Sequence, residues 1–288
     1  MAWLTLSLLA GFSLATADAL TKKSFSHLSP YEMGLTRLLY TVPWLLGALF
    51  FIERPDLDGV YFLCLALGLP LELLALYCYM RAIRNSPLSL TLPFLAFTPI
   101  FIIATGAVVL GETLTSTGIL GIVLIVIGSY FLNLSQIQTS VLEPFTAIFK
   151  EPGSRLMLLV SFLYSLTSII GKLGVIHSSP AFFGITYFMG LAVVMTLFLP
   201  FVPRARISGL RSNPGAGIAL GSVIAVMIFS HMLAISLIQA AYMIALKRTS
   251  LLFGVLYGAV LFKEERIAQR LVGASIMVAG VLVIGIGS

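Results

Sequence analysis

Two adjacent cations, Lys247 and Arg248, interrupt a stretch that is otherwise largely apolar from Ala240 to Phe262. As a helix this stretch is long enough to cross a hydrocarbon core of about 30 Å. A charged side chain near the centre of such a core costs about 2.5–3.5 kcal/mol on insertion scales, so two in succession need a reason to be there. Arg248 offers a planar fork of donors suited to carboxylate or phosphate, and Lys247 a mobile point charge. Thr249 adds a hydroxyl, and Tyr242 is placed to line the approach. Adjacent helix positions point about 100° apart, so both cations reach one ligand only across a wide cavity.

Arg37 and Glu72 also lie well inside apolar runs, whereas Asp18 and Lys172 lie nearer the ends of theirs. A lone carboxylate at the depth of Glu72 must be paired or protonated, which makes it a candidate partner of Lys247 or a proton-coupling site. Arg37, Lys247 and Arg248 against Glu72 leave a surplus of two positive charges. Such a surplus attracts an anion into a watered cavity. His231 is either a hydrogen-bonded packing residue or a contact for substrate or proton. For Arg37 and Lys172 the alternatives are snorkelling to the headgroups or lining the cavity. Asp18, four residues before Lys22, is expected to form a local ion pair with it.

The elements that must position these residues are membrane helices. Of 288 residues, 59% are hydrophobic and 10% charged, with a mean hydropathy of +1.07. Soluble domains carry about 25% charged residues, so lipid is the fitting solvent. The net charge of +6 reflects basic loops at one membrane face rather than nucleic-acid binding. Cys64 and Cys78 fall in one run, about 21 Å apart along a helix, beyond disulfide reach. The segment "MAWLTLSLLAGFSLATADAL" has an Ala15-x-Ala17 pattern but no basic start, and reads as a permanent helix.

Ten spans are expected, near 2–21, 31–52, 59–81, 88–110, 115–134, 155–175, 181–202, 214–238, 240–262 and 266–287. The chain is also written twice. Lys22/Lys172, His27/His177, Ser29/Ser179, Pro30/Pro180, Gly34/Gly184 and Thr36/Thr186 match at one offset; Glu112/Glu264, Gly121/Gly273 and Gly128/Gly280 match two residues later. The expected fold is therefore all-α, with residues 1–134 and 155–288 as two five-helix repeats joined by a linker at 135–154. An odd number of spans per repeat inverts the second copy, an arrangement of transporters with a midplane site between the halves. Gly121 and Gly128 share one helix face and allow close helix packing.

The span count, the duplication and the corners "VVLGETLTSTGILG" (108–121) and "VLFKEERIAQRLVG" (260–273) resemble the drug/metabolite transporter superfamily, in particular its EamA-like members. "AIRNSPLSLTLPFLAFTPIF" (82–101) has the same family look. The Lys247–Arg248 pair resembles the Lys–Arg pair in the ninth helix of plastid sugar-phosphate translocators, which grip a phosphate with it. The resemblance implies a secondary transporter, exporter or exchanger, working by alternating access. With the surplus of positive charge, the substrate is expected to be a small phosphorylated or carboxylated anion. The alternatives are export of amino acids or related zwitterions, and a flippase for a phosphorylated lipid. No paired His, metal-ligand cluster, nucleophile motif or phosphate-binding Gly loop is present, so neither enzymatic activity nor a cofactor is expected. The expected partners are the substrate, the bilayer, and protons or a counter-substrate. The chain is expected to be a monomer or homodimer.

Loops after the odd-numbered spans hold twelve Lys and Arg, and the opposite face holds Arg54 and Lys172. By the positive-inside rule the basic face is cytoplasmic, in a bacterial inner membrane, and both termini lie outside. A C-terminal reporter that works only in the cytoplasm should therefore be silent; an active reporter would reverse this orientation.

Overall fold

The computed structural model describes residues 2–85, 94–134, 152–202, 205, 212–262 and 267–287. Glu264, most of the expected linker and several residues of the basic loops lie outside the described residues. The elements are α1 (Ala2–Phe25), α2 (Pro30–Leu49), α3 (Gly59–Asn85), α4 (Thr98–Leu110), α5 (Ser116–Leu134), α6 (Pro152–Ile176), α7 (Pro180–Phe198, continued by a 3-10 turn Leu199–Phe201), α8 (Pro214–Leu237), α9 (Ala240–Lys247), α10 (Ser250–Phe262) and α11 (Ile267–Gly287). No strand occurs among the described residues. With α9 and α10 taken as one interrupted span, the count is ten. By length and composition α1, α3, α6, α7 and α8 can each cross a membrane. The outer surface is apolar, with Phe50, Phe51, Val108, Leu197 and Ile286 exposed.

Several residues shared by the two halves are helix-start signals. The Ser29 hydroxyl accepts the Glu32 N–H, while the Glu32 carboxylate accepts the Ser29 N–H, a reciprocal cap. Ser179 accepts the Phe182 N–H in the same way. Pro30 and Pro180 then occupy first helical positions, where a missing N–H costs nothing. Asp58 starts α3 by accepting the Tyr61 N–H at 3.0 Å, and its other oxygen meets His177 Nδ1 at 2.6 Å. The Tyr61 N–H first, and then His177, hold the Asp58 carboxyl below the usual carboxylate range.

The principal packing partners are α3 with α6, α1 with α8, and α5 with α11. Exchange of the two halves turns the first contact into the second and leaves the third in place. Cys64 and Cys78 are free, buried packing residues. α5 and α11 meet backbone to backbone. A Cβ on Gly121 would sit 2.8 Å from the Gly280 carbonyl, and one on Gly128 would sit 2.6 Å from the Met277 nitrogen. These obstacles are main chain and cannot rotate away. Gly128→Ala should therefore force the helices apart and destabilise the protein by about 1–3 kcal/mol. Gly47→Ala, where a Cβ meets nothing within 4 Å, should leave the apparent unfolding temperature unchanged. Equal effects of the two substitutions would contradict the close packing.

Candidate functional site

The ninth span is not the continuous helix expected over 240–262. It is interrupted by a turn at Arg248 and Thr249. The Thr249 N–H turns back to the Leu246 carbonyl at 2.9 Å, and its hydroxyl donates to the same oxygen at 2.7 Å. A second turn, at Ala96 and Phe97, precedes α4. There the Thr98 hydroxyl donates to the Leu95 carbonyl, also at 2.7 Å. Leu95-x-x-Thr98 and Leu246-x-x-Thr249 are thus the same device in the two halves. Each threonine hydroxyl returns to the carbonyl three residues before it, at the break.

The two breaks touch. The Arg248 Nη2 donates to Thr98 Oγ1 at 2.7 Å. The Arg248 side chain is buried, and its Nε–H has no partner among the described residues. Lys247 Nζ lies 3.0 Å from His231 Nδ1. An ammonium can only donate, so that imidazole nitrogen is the acceptor and the proton of a neutral ring sits on Nε2. Gly11 of α1 admits the break closely: a Cβ there would be 3.0 Å from the Lys247 carbonyl and 3.2 Å from Thr249 Oγ1.

Arg37, Glu72, His231, Lys247 and Arg248 all line one cavity of about 170 Å³, together with Asp18. Tyr79, Tyr164, Thr167 and Ser168 also line it. Asp18 corrects the expected local pair with Lys22: it reaches Arg37 Nη1 at 2.7 Å instead. The reason is burial, because a guanidinium enclosed in the bundle needs a counter-ion there. Arg37 accordingly does not snorkel. Glu72 forms no salt bridge with a described residue, so the expected alternative of a Glu72–Lys247 pair is absent. Glu72 instead shares the cavity wall with Thr167 and Tyr187. The count is now three cations and two carboxylates, a surplus of one rather than two.

Three expected ligand contacts lie elsewhere. Tyr242 points away from the cavity, and its hydroxyl accepts the Thr115 N–H at 2.9 Å. The Thr249 hydroxyl is spent on Leu246. Lys172 is paired with Glu112 and donates to the Ile238 carbonyl at 2.6 Å, outside the cavity. Conversely, sequence reasoning passed over Thr98 and the cavity role of Asp18. The match of Leu95-x-x-Thr98 to Leu246-x-x-Thr249, at an offset of 151 residues, was the signal that could have revealed Thr98.

The model of the EamA-like transporter family matches residues 1–134, consistent with the drug/metabolite transporter superfamily. A solved structure titled only "Crystal structure of protein" is similar in fold, with a TM-score of 0.74 over 98% of this chain and 97% of its own, at 16% identity. No curated protein matches the sequence.

Thr98→Val should leave an Arg248 N–H and the Leu95 carbonyl without partners. Each such buried group costs about 1–3 kcal/mol, so the apparent unfolding temperature should fall clearly, while Thr98→Ser stays near wild type. Equal stability of the valine and serine variants would remove the tie from the account.

Proposed function

We propose, on the premise that the EamA match indicates a membrane transporter, that this chain carries a small metabolite bearing a carboxylate or phosphate, with Lys247 and Arg248 holding the anionic group. One observation carries the reading: the Arg248 Nε–H is buried beside the cavity with no partner among the described residues. A buried donor left unpaired is costly, and an entering anion supplies what it lacks. Lys247 adds a second charge, because its hydrogen bond to neutral His231 does not cancel it. Thr98 and His231 orient the two cations.

Transport by alternating access follows from two inverted repeats, 1–134 and 155–288, moving about a midplane site. Three features support that arrangement: the paired Leu-x-x-Thr breaks, the paired Ser-Pro helix starts, and the packing contacts that exchange with the halves. In the proposed orientation the basic loops are cytoplasmic and both termini face outward.

A second reading is favoured by Glu72, a carboxylate of the same cavity that forms no salt bridge with a described residue. It suits the ammonium of an amino acid whose carboxylate rests on Arg248. It also suits a transported proton. Lys247→Gln and Arg248→Lys should each lower substrate affinity about 100-fold in protein that still elutes as a monodisperse species, since the point charge and the fork are not interchangeable. Normal affinity in Lys247→Gln would refute the anion seat. Glu72→Gln separates the remaining roles. It should abolish binding of an amino acid, or else retain exchange and lose accumulation driven by a pH gradient.

A further inference from the structure

Outside the cavity, a part-buried ion pair joins the halves across a helix junction. Gly111, with φ of 64°, ends α4 in the left-handed region and turns the chain into Glu112. The Glu112 carboxylate meets the Lys172 ammonium of α6, with side chains 10% and 13% exposed. The same carboxylate accepts the Ala240 N–H, at 3.0 Å to Oε2 and 3.2 Å to Oε1. The same ammonium takes the Ile238 carbonyl at 2.6 Å. Together they cap the end of α8 and the start of α9, each charge facing the helix terminus of opposite polarity.

This end of the bundle is tied elsewhere too. His177, just past α6, meets Asp58 from the first half at 2.6 Å. Thr115 takes the Tyr242 hydroxyl, and its own hydroxyl donates to the Gly287 carbonyl at 2.7 Å. Lys172 lies four residues from the end of α6. The cavity residues of that helix, Ser168, Thr167 and Tyr164, lie four to eight residues deeper, which is about 6–12 Å along the axis. The pair therefore stands between the cavity and the face that carries the chain's C-terminal helix end. It also holds the first residue of α9, the short helix that ends at Lys247.

We propose that Glu112 and Lys172 form the gate at this face: while they clasp the α8–α9 junction the cavity is sealed from it, and their separation exposes Lys247 and Arg248 there. The proposal rests on the alternating-access reading but not on the charge of the substrate. A pair largely shielded from water suits a gate physically. Its mutual attraction is largely offset by the water both ions gave up, so parting into a hydrated opening changes the free energy little. Backbone groups of one junction, Ile238 and Ala240, are released in the same step, so the gate and the cation-bearing helix move together.

The test uses the full chain with Cys64→Ala and Cys78→Ala, and Met232→Cys as a reporter in the cavity wall. A membrane-impermeant maleimide is applied to intact cells and to inverted vesicles. Lys172→Met and Glu112→Gln should each raise the labelling rate from the gated face about tenfold and lower it from the other face. Where Lys172→Met does not accumulate as monodisperse protein, Glu112→Gln carries the same test with the same expected direction. The swap of Glu112→Lys with Lys172→Glu should not restore the wild-type rate, because Lys at 112 cannot accept the Ala240 N–H. Unchanged labelling in the single variants, with the wild type labelled asymmetrically, overturns the gate alone, and restoration by the swap overturns the backbone clasp. Variants that raise labelling from the gated face and leave the other face unchanged overturn alternating access, because opening at one face then does not close the other.

Discussion

Inside a bilayer no water is at hand for a freed carbonyl or N–H, so an interrupted helix must bring its own partners. The rest of this structure depends on how that demand is met at the two breaks. Thr98 and Thr249 each return a hydroxyl to the carbonyl three residues back. Because the Thr98 oxygen can still accept, it also takes the Arg248 guanidinium from the other half. One hydroxyl thus satisfies the first break, orients the cation, and joins the halves at the site. Gly11 lets α1 pack closely against the second break.

The same demand orders the remaining charges. Arg37 has Asp18, Lys172 has Glu112, and Lys247 has the His231 lone pair. These contacts differ in kind. The first two neutralise a cation with an anion, whereas the third holds Lys247 without cancelling its charge. Arg248 is likewise held by a neutral oxygen. The net positive character of the cavity is therefore concentrated on the two residues that the helix break presents to it. Glu72 lines the same cavity, so that space holds a carboxyl group as well as the two cations.

Much of this was legible in the sequence because the signals are strong in apolar surroundings. Ten runs of apolar residues set the helices, and scarce Lys, His, Pro and Glu made the duplication visible. Lys247 and Arg248 stood out because a bilayer penalises charge, and both line the cavity. Partner choice was not readable. Asp18 lies one turn from Lys22 on its own helix, and only the packing of α1, α2 and α3 around one cavity brings it to Arg37. Tyr242 sits five residues before Lys247 on the same short helix, yet faces the α4–α5 corner, because small Gly118 admits its ring there. The break itself was hidden. Thr and Ser after a charged pair do not interrupt an apolar pattern, and only the hydrogen bond back to Leu246 distinguishes a turn from a helix.

The central claim is that two cations, neither of them in a salt bridge with a carboxylate among the described residues, hold an anion in the cavity. Charge displacement on a solid-supported membrane tests it directly, with proteoliposomes of the wild-type protein exposed to rapid jumps of phosphorylated, carboxylated and amino-acid metabolites. The account predicts that at least one carboxylate or phosphate compound drives a transient with the sign of negative charge entering the protein, and that the transient is absent in Arg248→Gln. A transient of the opposite sign, evoked by cationic metabolites and retained in Arg248→Gln, would contradict it.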